Sequence, residues 1–163
     1  MTSRSARLRK AVLAAMTAPV ALGAAVVVPA QSAEAHSHVS TTSEWRQTSD
    51  CPCWLGDEYD GTYFKHDAGG EAVKVRIYSG ESLVGKMEFH PYGEKFWVYD
   101  TKANGDAIYY RIKWGDEAHN VIVPSGKRVA SFDYNIPDGS KVKISAYDST
   151  SHENLIKRAY GHA

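Results

Sequence analysis

The feature that most limits how this chain can fold is a series of short runs in which apolar and polar residues alternate, each ending at Gly, Pro, Asn or Asp. The clearest run covers residues 72–78, where Val73, Val75 and Ile77 alternate with charged side chains. A two-residue period places successive side chains on opposite faces of a strand. The run therefore predicts a strand with one core face and one solvent-exposed face, which carries Lys74 and Arg76.

Turn residues separate further runs of the same kind. Among these turn residues are Asn104 and Gly105, and Asn-Gly readily takes the positive φ angles of a tight hairpin. They predict a hairpin between the runs on either side of them. In the run after them, one core face is predicted for Ile108, Tyr110, Ile112 and Trp114. The further runs cover residues 83–90, 95–101, 107–114, 120–123, 127–134 and 141–148.

Short strands joined by tight turns, without amphipathic helices between them, are typical of antiparallel sandwiches and not of parallel α/β sheets. We therefore predict an all-β fold, an antiparallel immunoglobulin-like β-sandwich over residues 72–148. Residues 36–71 follow no regular period and are predicted to form an irregular, extended N-terminal arm with one or two short strands. Residues 149–163 form a C-terminal tail in which Ser151 is placed to cap one or two helical turns.

The predicted arm is rich in carboxylates, and Asp57, Glu58 and Asp60 form an acidic segment just before Gly61. Carboxylate oxygens are good calcium ligands, but the alternate-position spacing of a dedicated calcium loop is missing. We interpret the segment as a solvated acidic turn.

Residues 1–35 have the three parts of a secretory signal peptide: a basic start, an apolar stretch over residues 11–30 and the small-residue end Ala33-Glu34-Ala35. We expect cleavage after Ala35 and a secreted, extracellular protein. The alternative is an uncleaved membrane anchor, which the Ala-rich composition, Pro19 and the Ala-x-Ala end disfavour. After cleavage no apolar run is long enough to anchor the chain in a membrane.

Cleavage also changes the charge. The whole chain has 19 Lys+Arg and 19 Asp+Glu, and the leader contains four of the basic residues and one acid. The remainder has 15 basic and 18 acidic residues, a formal net charge of −3. A nucleic-acid partner is not expected, because such proteins usually carry a basic surplus.

Residues 96–105, together with the later turn at residues 136–142, resemble a group of small secreted actinobacterial proteins, Streptomyces-like β-sandwich proteins of unknown function. Their characteristic feature is a strand that ends in a Val-Cys-Asp-Thr-Lys-Ala-Asp-Gly-like turn. The resemblance covers residues 72–148 and implies a secreted β-sandwich without implying an activity. This chain departs from the pattern by carrying Tyr99 and Tyr147 where such proteins tend to have cysteines.

A mature chain that begins His36-Ser37-His38 would carry a possible metal site. The terminal amine, two backbone amides and the His38 imidazole form a square-planar nitrogen set, which copper(II) favours. His36 is a further nitrogen ligand. The opposing interpretation is a solvated terminus without a metal. No cofactor is required by the sequence, and copper is the one candidate.

Cys51 and Cys53 are the only cysteines in the chain, and Pro52 lies between them. In an oxidising compartment they form a small disulfide ring, pair between chains, bind a soft metal or remain free thiols. The first outcome ranks highest, because secretion oxidises accessible cysteines.

Aromatic residues supply another candidate site. Trp97, Tyr99 and Tyr109 are predicted on strand faces opposite the core residues, where aromatic rings stack on sugars or anchor a protein partner. The competing interpretation is that these rings cover the core or contact the arm.

No nucleophile elbow, phosphate-binding loop or zinc-protease motif is present, so we do not predict an enzyme. The leading hypothesis is a non-catalytic extracellular binding module for a protein or a polysaccharide. The alternatives are a small copper-binding protein that uses His36 and His38, and a secreted enzyme inhibitor or toxin.

Overall fold

A computed structural model describes residues 38–102 and 106–163, in which the regular structure is almost entirely β-strand. These residues include one turn of 3-10 helix, Thr48–Asp50, and none of their helices has the length and apolar character that a membrane crossing needs. The strands are β1 Val39–Gln47, β2 Cys53–Leu55, β3 Thr62–Phe64, β4 Glu71–Ser79, β5 Ser82–His90, β6 Lys95–Asp100, β7 Tyr109–Trp114, β8 Glu117–Ile122, β9 Val129–Asp133, β10 Lys141–Tyr147 and β11 Leu155–His162.

Nine strands form one antiparallel sheet, and β2 and β3 form a separate hairpin. The order in the sheet is β8-β7-β10-β11-β4-β5-β6-β9, and β1 pairs with β4. One residue pair, His162 with Glu71, connects β11 to β4. The sheet thus consists of two strand sets: a first set of β1, β4, β5, β6 and β9, and a second set of β7, β8, β10 and β11.

Side chains from both strand sets form one apolar core. Val73, Val75 and Ile77 of β4 are fully buried in it, which confirms their predicted face. A polar contact also joins the sets, because the Tyr110 hydroxyl of β7 donates to the Tyr99 carbonyl oxygen of β6 at 2.5 Å. The predicted core face of β7 is confirmed by the burial of Ile108, Tyr110 and Ile112 and by the partly buried Trp114 beside them.

The predictions of an all-β fold and of antiparallel pairing are confirmed. The strand path is continuous, and the sheet has a nearly closed, barrel-like form. The structure therefore differs from two separate sheets. The pairing of His162 with Glu71 joins the two strand sets into one sheet.

The arm contains more regular structure than the one or two short strands predicted, because residues 39–47 form the nine-residue strand β1 in addition to the short β2 and β3. The inward positions of β1 include Thr41 and Ser43 as well as Val39, so the burial alternates while the hydrophobicity does not. β1 pairs with β4 over its whole length, from Val39 opposite Ser79 to Gln47 opposite Glu71. Backbone pairing therefore organises this segment without an apolar sequence period.

The helical interpretation of the tail is also wrong, since residues 155–162 form β11. A helix of one or two turns gains little by itself, because nucleation is unfavourable. As a strand, the tail pairs with β10 from Lys141 opposite His162 onwards and buries Ala159 and Gly161.

The hairpin predicted around Asn104 and Gly105 does not join β6 to β7. Residues 103–105 lie outside the described residues, but the partners of both strands are clear: β6 pairs with β5 and β9, and β7 pairs with β8 and β10. The two strands thus belong to different sets, because each already has partners on both edges.

A substitution at Gly161 tests the junction between the two strand sets. A Cβ atom at this buried position would fall against the Glu71 backbone carbonyl and the Phe89 ring. We expect Gly161→Ala to lower the free energy of unfolding by about 1–3 kcal/mol, as overfilling a packed interior does. Gly56→Ala is the control, because a Cβ atom at that position would have nothing within 4 Å of it. Urea unfolding measures both, and equal small effects would contradict the assigned junction.

Candidate functional site

The hairpin of β2 and β3 has one buried and one exposed face. Leu55, Thr62 and Phe64 point inwards and are buried. Trp54 and Tyr63 are paired across the two strands and are 63% and 50% exposed. Directly paired residues of antiparallel strands lie on the same face, so the two rings are neighbours on the outer surface.

The cysteines lie at the start of this hairpin and are bonded to each other, Cys51 to Cys53. Cys51 is buried together with Leu55, Phe64 and Ala72 in a small apolar cluster separate from the main core. The intrachain disulfide ring, which ranked highest among the predicted states, is therefore the state in the structure, and the small apolar cluster attaches the hairpin to the start of β4.

The turn between β2 and β3 is organised by Asp57. Its Oδ1 atom accepts backbone N–H groups from Tyr59, Asp60 and Gly61 at 2.9, 3.0 and 2.9 Å. Gly61 has a φ of 69°, and the Trp54 ring lies against it, so a side chain at this position would displace the ring. The turn thus fixes both the carboxylate and the neighbouring tryptophan.

Two lysines from the first strand set reach the other oxygen of Asp57. Lys74 Nζ of β4 lies 2.7 Å from Asp57 Oδ2, and Lys86 Nζ of β5 lies 2.9 Å from it. None of these three side chains has exposed surface. Lys74 also donates to the carbonyl oxygens of Leu55 and Gly56, each at 3.2 Å.

Lys86 is surrounded by further acceptors. Its ammonium group is 2.5 Å from Asp60 Oδ1, 2.8 Å from Glu88 Oε1 and 3.0 Å from the Gly61 carbonyl oxygen. The ammonium also lies 4.1 Å from the centre of the Tyr99 ring. An ammonium group has three donors, so each of them has an acceptor within reach.

Glu88 completes an ion cluster, which we define as Asp57, Asp60, Lys74, Lys86 and Glu88 and in which all members except the 44% exposed Asp60 are buried. Glu88 accepts the Thr62 hydroxyl of β3 and lies 2.9 Å from His90 Nε2. The cluster therefore joins the turn and both strands of the hairpin to the outer face of β4 and β5.

Burial opposes the charged state of Asp57, Glu88 and Lys86, and their neighbours reverse that effect. Burial would raise the pKa of the Asp57 carboxyl, but bonds from Lys74, Lys86 and the backbone hold it well below its usual range. Burial would also raise the pKa of the Glu88 carboxyl, but His90 and Lys86 hold it below its usual range. Burial would lower the pKa of Lys86, and Glu88, Asp60 and Asp57 raise it instead. Asp57, Glu88 and Lys86 are thus charged at neutral pH.

Two predictions made from the sequence are wrong here. Lys74 is only 1% exposed, because the hairpin covers the face of β4 that was predicted to face solvent. Asp57 is a buried ion partner of two lysines, so the prediction of a solvated acidic turn is wrong for this residue, whereas Glu58 and Asp60 in the same turn are exposed. The sequence did hold a signal: a carboxylate-rich arm precedes strands with lysines on their second face.

The predicted copper ligands are not assembled in the described part of the chain. His36 lies outside the described residues, and His38 is exposed just before β1. Residues 38–102 and 106–163 contain no group of three or more His, Cys, Asp and Glu side chains arranged to hold a metal ion. The sulfurs of Cys51 and Cys53 are occupied by their mutual bond.

The predicted stacking aromatics do not form one surface. Tyr99 is 3% exposed and lies between Lys86 and the Tyr59 ring. Burial and the charges of Glu88 and Asp60 raise the pKa of its hydroxyl far above the usual range. Trp97 is half-buried beside His90, whereas Tyr109 lies in the second strand set beside His152.

Other aromatic residues form the exposed surface. Besides Trp54 and Tyr63, Tyr59 and Tyr92 are 45% and 51% exposed. Lys65 follows Tyr63 by two residues, and its ammonium lies 4.7 Å from the centre of the Tyr92 ring. Sequence analysis missed Trp54 and Tyr63 because they lie in short strands with no clear period, and it missed Tyr59 and Tyr92 because they lie outside the strands. We call Trp54, Tyr63, Lys65 and Tyr92 the aromatic hairpin surface.

No protein-family model, curated protein or solved structure matches this chain. The resemblance of residues 72–148 to small secreted actinobacterial proteins stays a prediction.

The ion cluster predicts a large effect for Lys86→Met. The change leaves Asp57, Asp60 and Glu88 with fewer cationic partners, and breaking a buried ion pair typically costs about 3–5 kcal/mol. Lys95→Met is the matched control, because Lys95 forms an exposed pair with Asp133 at 2.8 Å and such pairs contribute less than about 1 kcal/mol. Urea unfolding measures both. Amide exchange should show the largest loss of protection in β2 and β3, and similar losses for both variants would refute the structural role of Lys86.

The pKa shifts also predict the pH dependence of stability. Asp57 and Glu88 have lowered pKa values in the folded state, so their stabilisation is complete above their unfolded values of about 4 and is lost as the pH falls below them. Lys86 acts in the opposite direction and loses its contribution only above about pH 10. We expect Asp57→Asn to be less stable at pH 7 and to lose less stability between pH 6 and pH 3 than the unchanged protein. Urea unfolding at each pH measures the free energy of unfolding of both proteins. An equal change of the two free energies with pH would contradict this assignment.

Proposed function

We propose that this protein is a secreted, non-catalytic binding module that holds an extracellular polysaccharide on the aromatic hairpin surface. The observation that carries the proposal is the cross-strand pair of Trp54 and Tyr63, whose side chains are both at least half exposed. The other side of their hairpin is held to β4 and β5 by the buried ion pairs of Asp57 with Lys74 and Lys86. Aromatic rings combine a large apolar face with polar edges, which suits contact with the C–H face of a sugar ring.

Rigidity supports the choice of this surface. The Trp54 ring is held against Gly61, and the inner face of the hairpin contributes Leu55, Thr62 and Phe64 to buried contacts. Binding therefore need not order the hairpin, and a preorganised surface loses less conformational entropy on association.

The charges of this surface favour a neutral polymer. Lys65 is its one charged member, and that ammonium already lies over the Tyr92 ring. The nearby carboxylate of Asp57 is buried in the ion cluster. Contact would thus depend on ring stacking and apolar area more than on charge.

The finer description of the fold belongs to the same proposal. We infer that the two strand sets act as the two layers of an immunoglobulin-like sandwich, and the shared apolar core supports this. Extracellular location rests on the signal peptide predicted over residues 1–35. Membership of the small secreted actinobacterial proteins rests on the motif at residues 96–105 and is likewise our proposal.

Retention on insoluble polysaccharides tests the function. We expect the protein to bind at least one of cellulose, chitin and a β-1,3-glucan, and the double variant Trp54→Ala, Tyr63→Ser to bind it about tenfold or more weakly. Leu155→Ser is the control, because Leu155 is a 45% exposed apolar side chain on the second strand set that belongs to neither proposed binding surface. Retention of both variants alike, or no retention of the unchanged protein, would refute the proposal. Far-UV circular dichroism checks that each variant is folded.

A further inference from the structure

The second strand set carries a concentration of positive charge on its outer face. Strands β7, β10 and β11 contain no Asp or Glu. Their outward-facing basic residues are Arg111, Lys113, Lys141, Lys143 and Arg158, whereas Lys157 lies opposite Ala146 on the core-facing side. The net charge of the whole chain conceals this face, because the carboxylates lie on other segments of the chain.

Strand register brings three of these lysines around a shallow groove. Lys143 of β10 lies directly opposite Lys113 of β7 on one side and Tyr160 of β11 on the other. Lys141 is two residues from Lys143 on the same face, and its ammonium lies 4.4 Å from the centre of the Tyr160 ring. The groove has a volume of about 210 Å³, and its lining is completed by Trp114 and Gly115.

The three lysines have no carboxylate within 4 Å among the described residues. They differ in this from Lys74 and Lys86 of the first strand set, because each of those two lysines pairs with at least one carboxylate. Like charges directly opposite each other destabilise a strand pair. The Lys113–Lys143 pair therefore weakens the folded chain, and an anion in the groove would relieve that repulsion.

The positive surface continues beyond the groove. The next outward-facing position of β10 is Ser145, which lies between Arg111 of β7 and Arg158 of β11. The buried Ser145 hydroxyl has no hydrogen-bond partner in the described part of the chain. His162 of β11 lies directly opposite Lys141, and its Nδ1 atom is 3.0 Å from Glu71 Oε2.

We propose that this groove binds an acidic polysaccharide, with uronate carboxylates on Lys113, Lys141 and Lys143 and a sugar ring against Tyr160. The lysines supply charge-assisted hydrogen bonds to carboxylates. Tyr160 is 41% exposed and supplies an apolar contact beside them, which a charge-only partner would not use. The groove lies on the second strand set, so the proposal does not depend on the aromatic hairpin surface.

Calorimetric titration of the full chain with a purified oligogalacturonate tests the proposal, with a neutral oligosaccharide of the same length as the comparison. We expect Lys113→Gln, Lys143→Gln together to weaken binding of the oligogalacturonate about tenfold or more. Tyr160→Ser should weaken it as well. Rising salt should weaken binding by the unchanged protein, because exposed charges are screened.

The matched control is Lys102→Gln, Lys127→Gln, which removes the same charge from exposed lysines outside the groove. An equal loss in this control would overturn the proposal, because the attraction would then be non-specific. Equal binding of a single-stranded oligonucleotide or of anionic vesicles would also overturn it in favour of those partners. Trp54→Ala, Tyr63→Ser should leave this titration unchanged, so failure here and failure of the hairpin proposal are distinguishable.

Discussion

The buried ammonium group of Lys86 is the constraint on which the rest of the outer layer depends. An unpaired charge in a protein interior is strongly unfavourable, so β5 can hold this lysine only if carboxylates approach it. Asp57 and Asp60 come from the turn between β2 and β3, and Glu88 comes from β5 itself. The hairpin must therefore lie on the outer face of β4 and β5, which gives those strands two buried faces.

The same contacts decide what the hairpin presents to solvent. Since its inner face is committed to the ion cluster and to the small cluster around Cys51 and Phe64, the alternate positions Trp54 and Tyr63 face outwards. The second strand set has the opposite character, with lysines grouped on its outer face around a groove. One chain thus carries an aromatic, weakly charged surface and a basic groove on different strand sets, and the proposals assign a neutral and an acidic polymer to them.

Much of the fold was predictable where burial follows the sequence period. Val73, Val75 and Ile77 alternate with charged residues and are fully buried, as expected. The same alternation gave a wrong prediction of solvent exposure for Lys74. Alternation shows which residues share a face of a strand, but it does not show whether another segment covers that face. β1 escaped prediction because Thr41 and Ser43 occupy its inward positions. β11 escaped because a short polar tail gains its strand structure only from pairing with β10.

The sequence by itself determined the strand-rich character of the chain, its antiparallel pairing, the core face of its main strands and the adjacency of Cys51 and Cys53. These properties depend on neighbours within a few residues, so local periodicity and turn chemistry are sufficient to predict them. Only the tertiary structure decided the ion cluster and the basic groove. Asp57 meets Lys86 across 29 positions, and Lys113 meets Lys143 through strand register. Such juxtapositions are set by which strands pair and which faces are covered, and no local pattern encodes them.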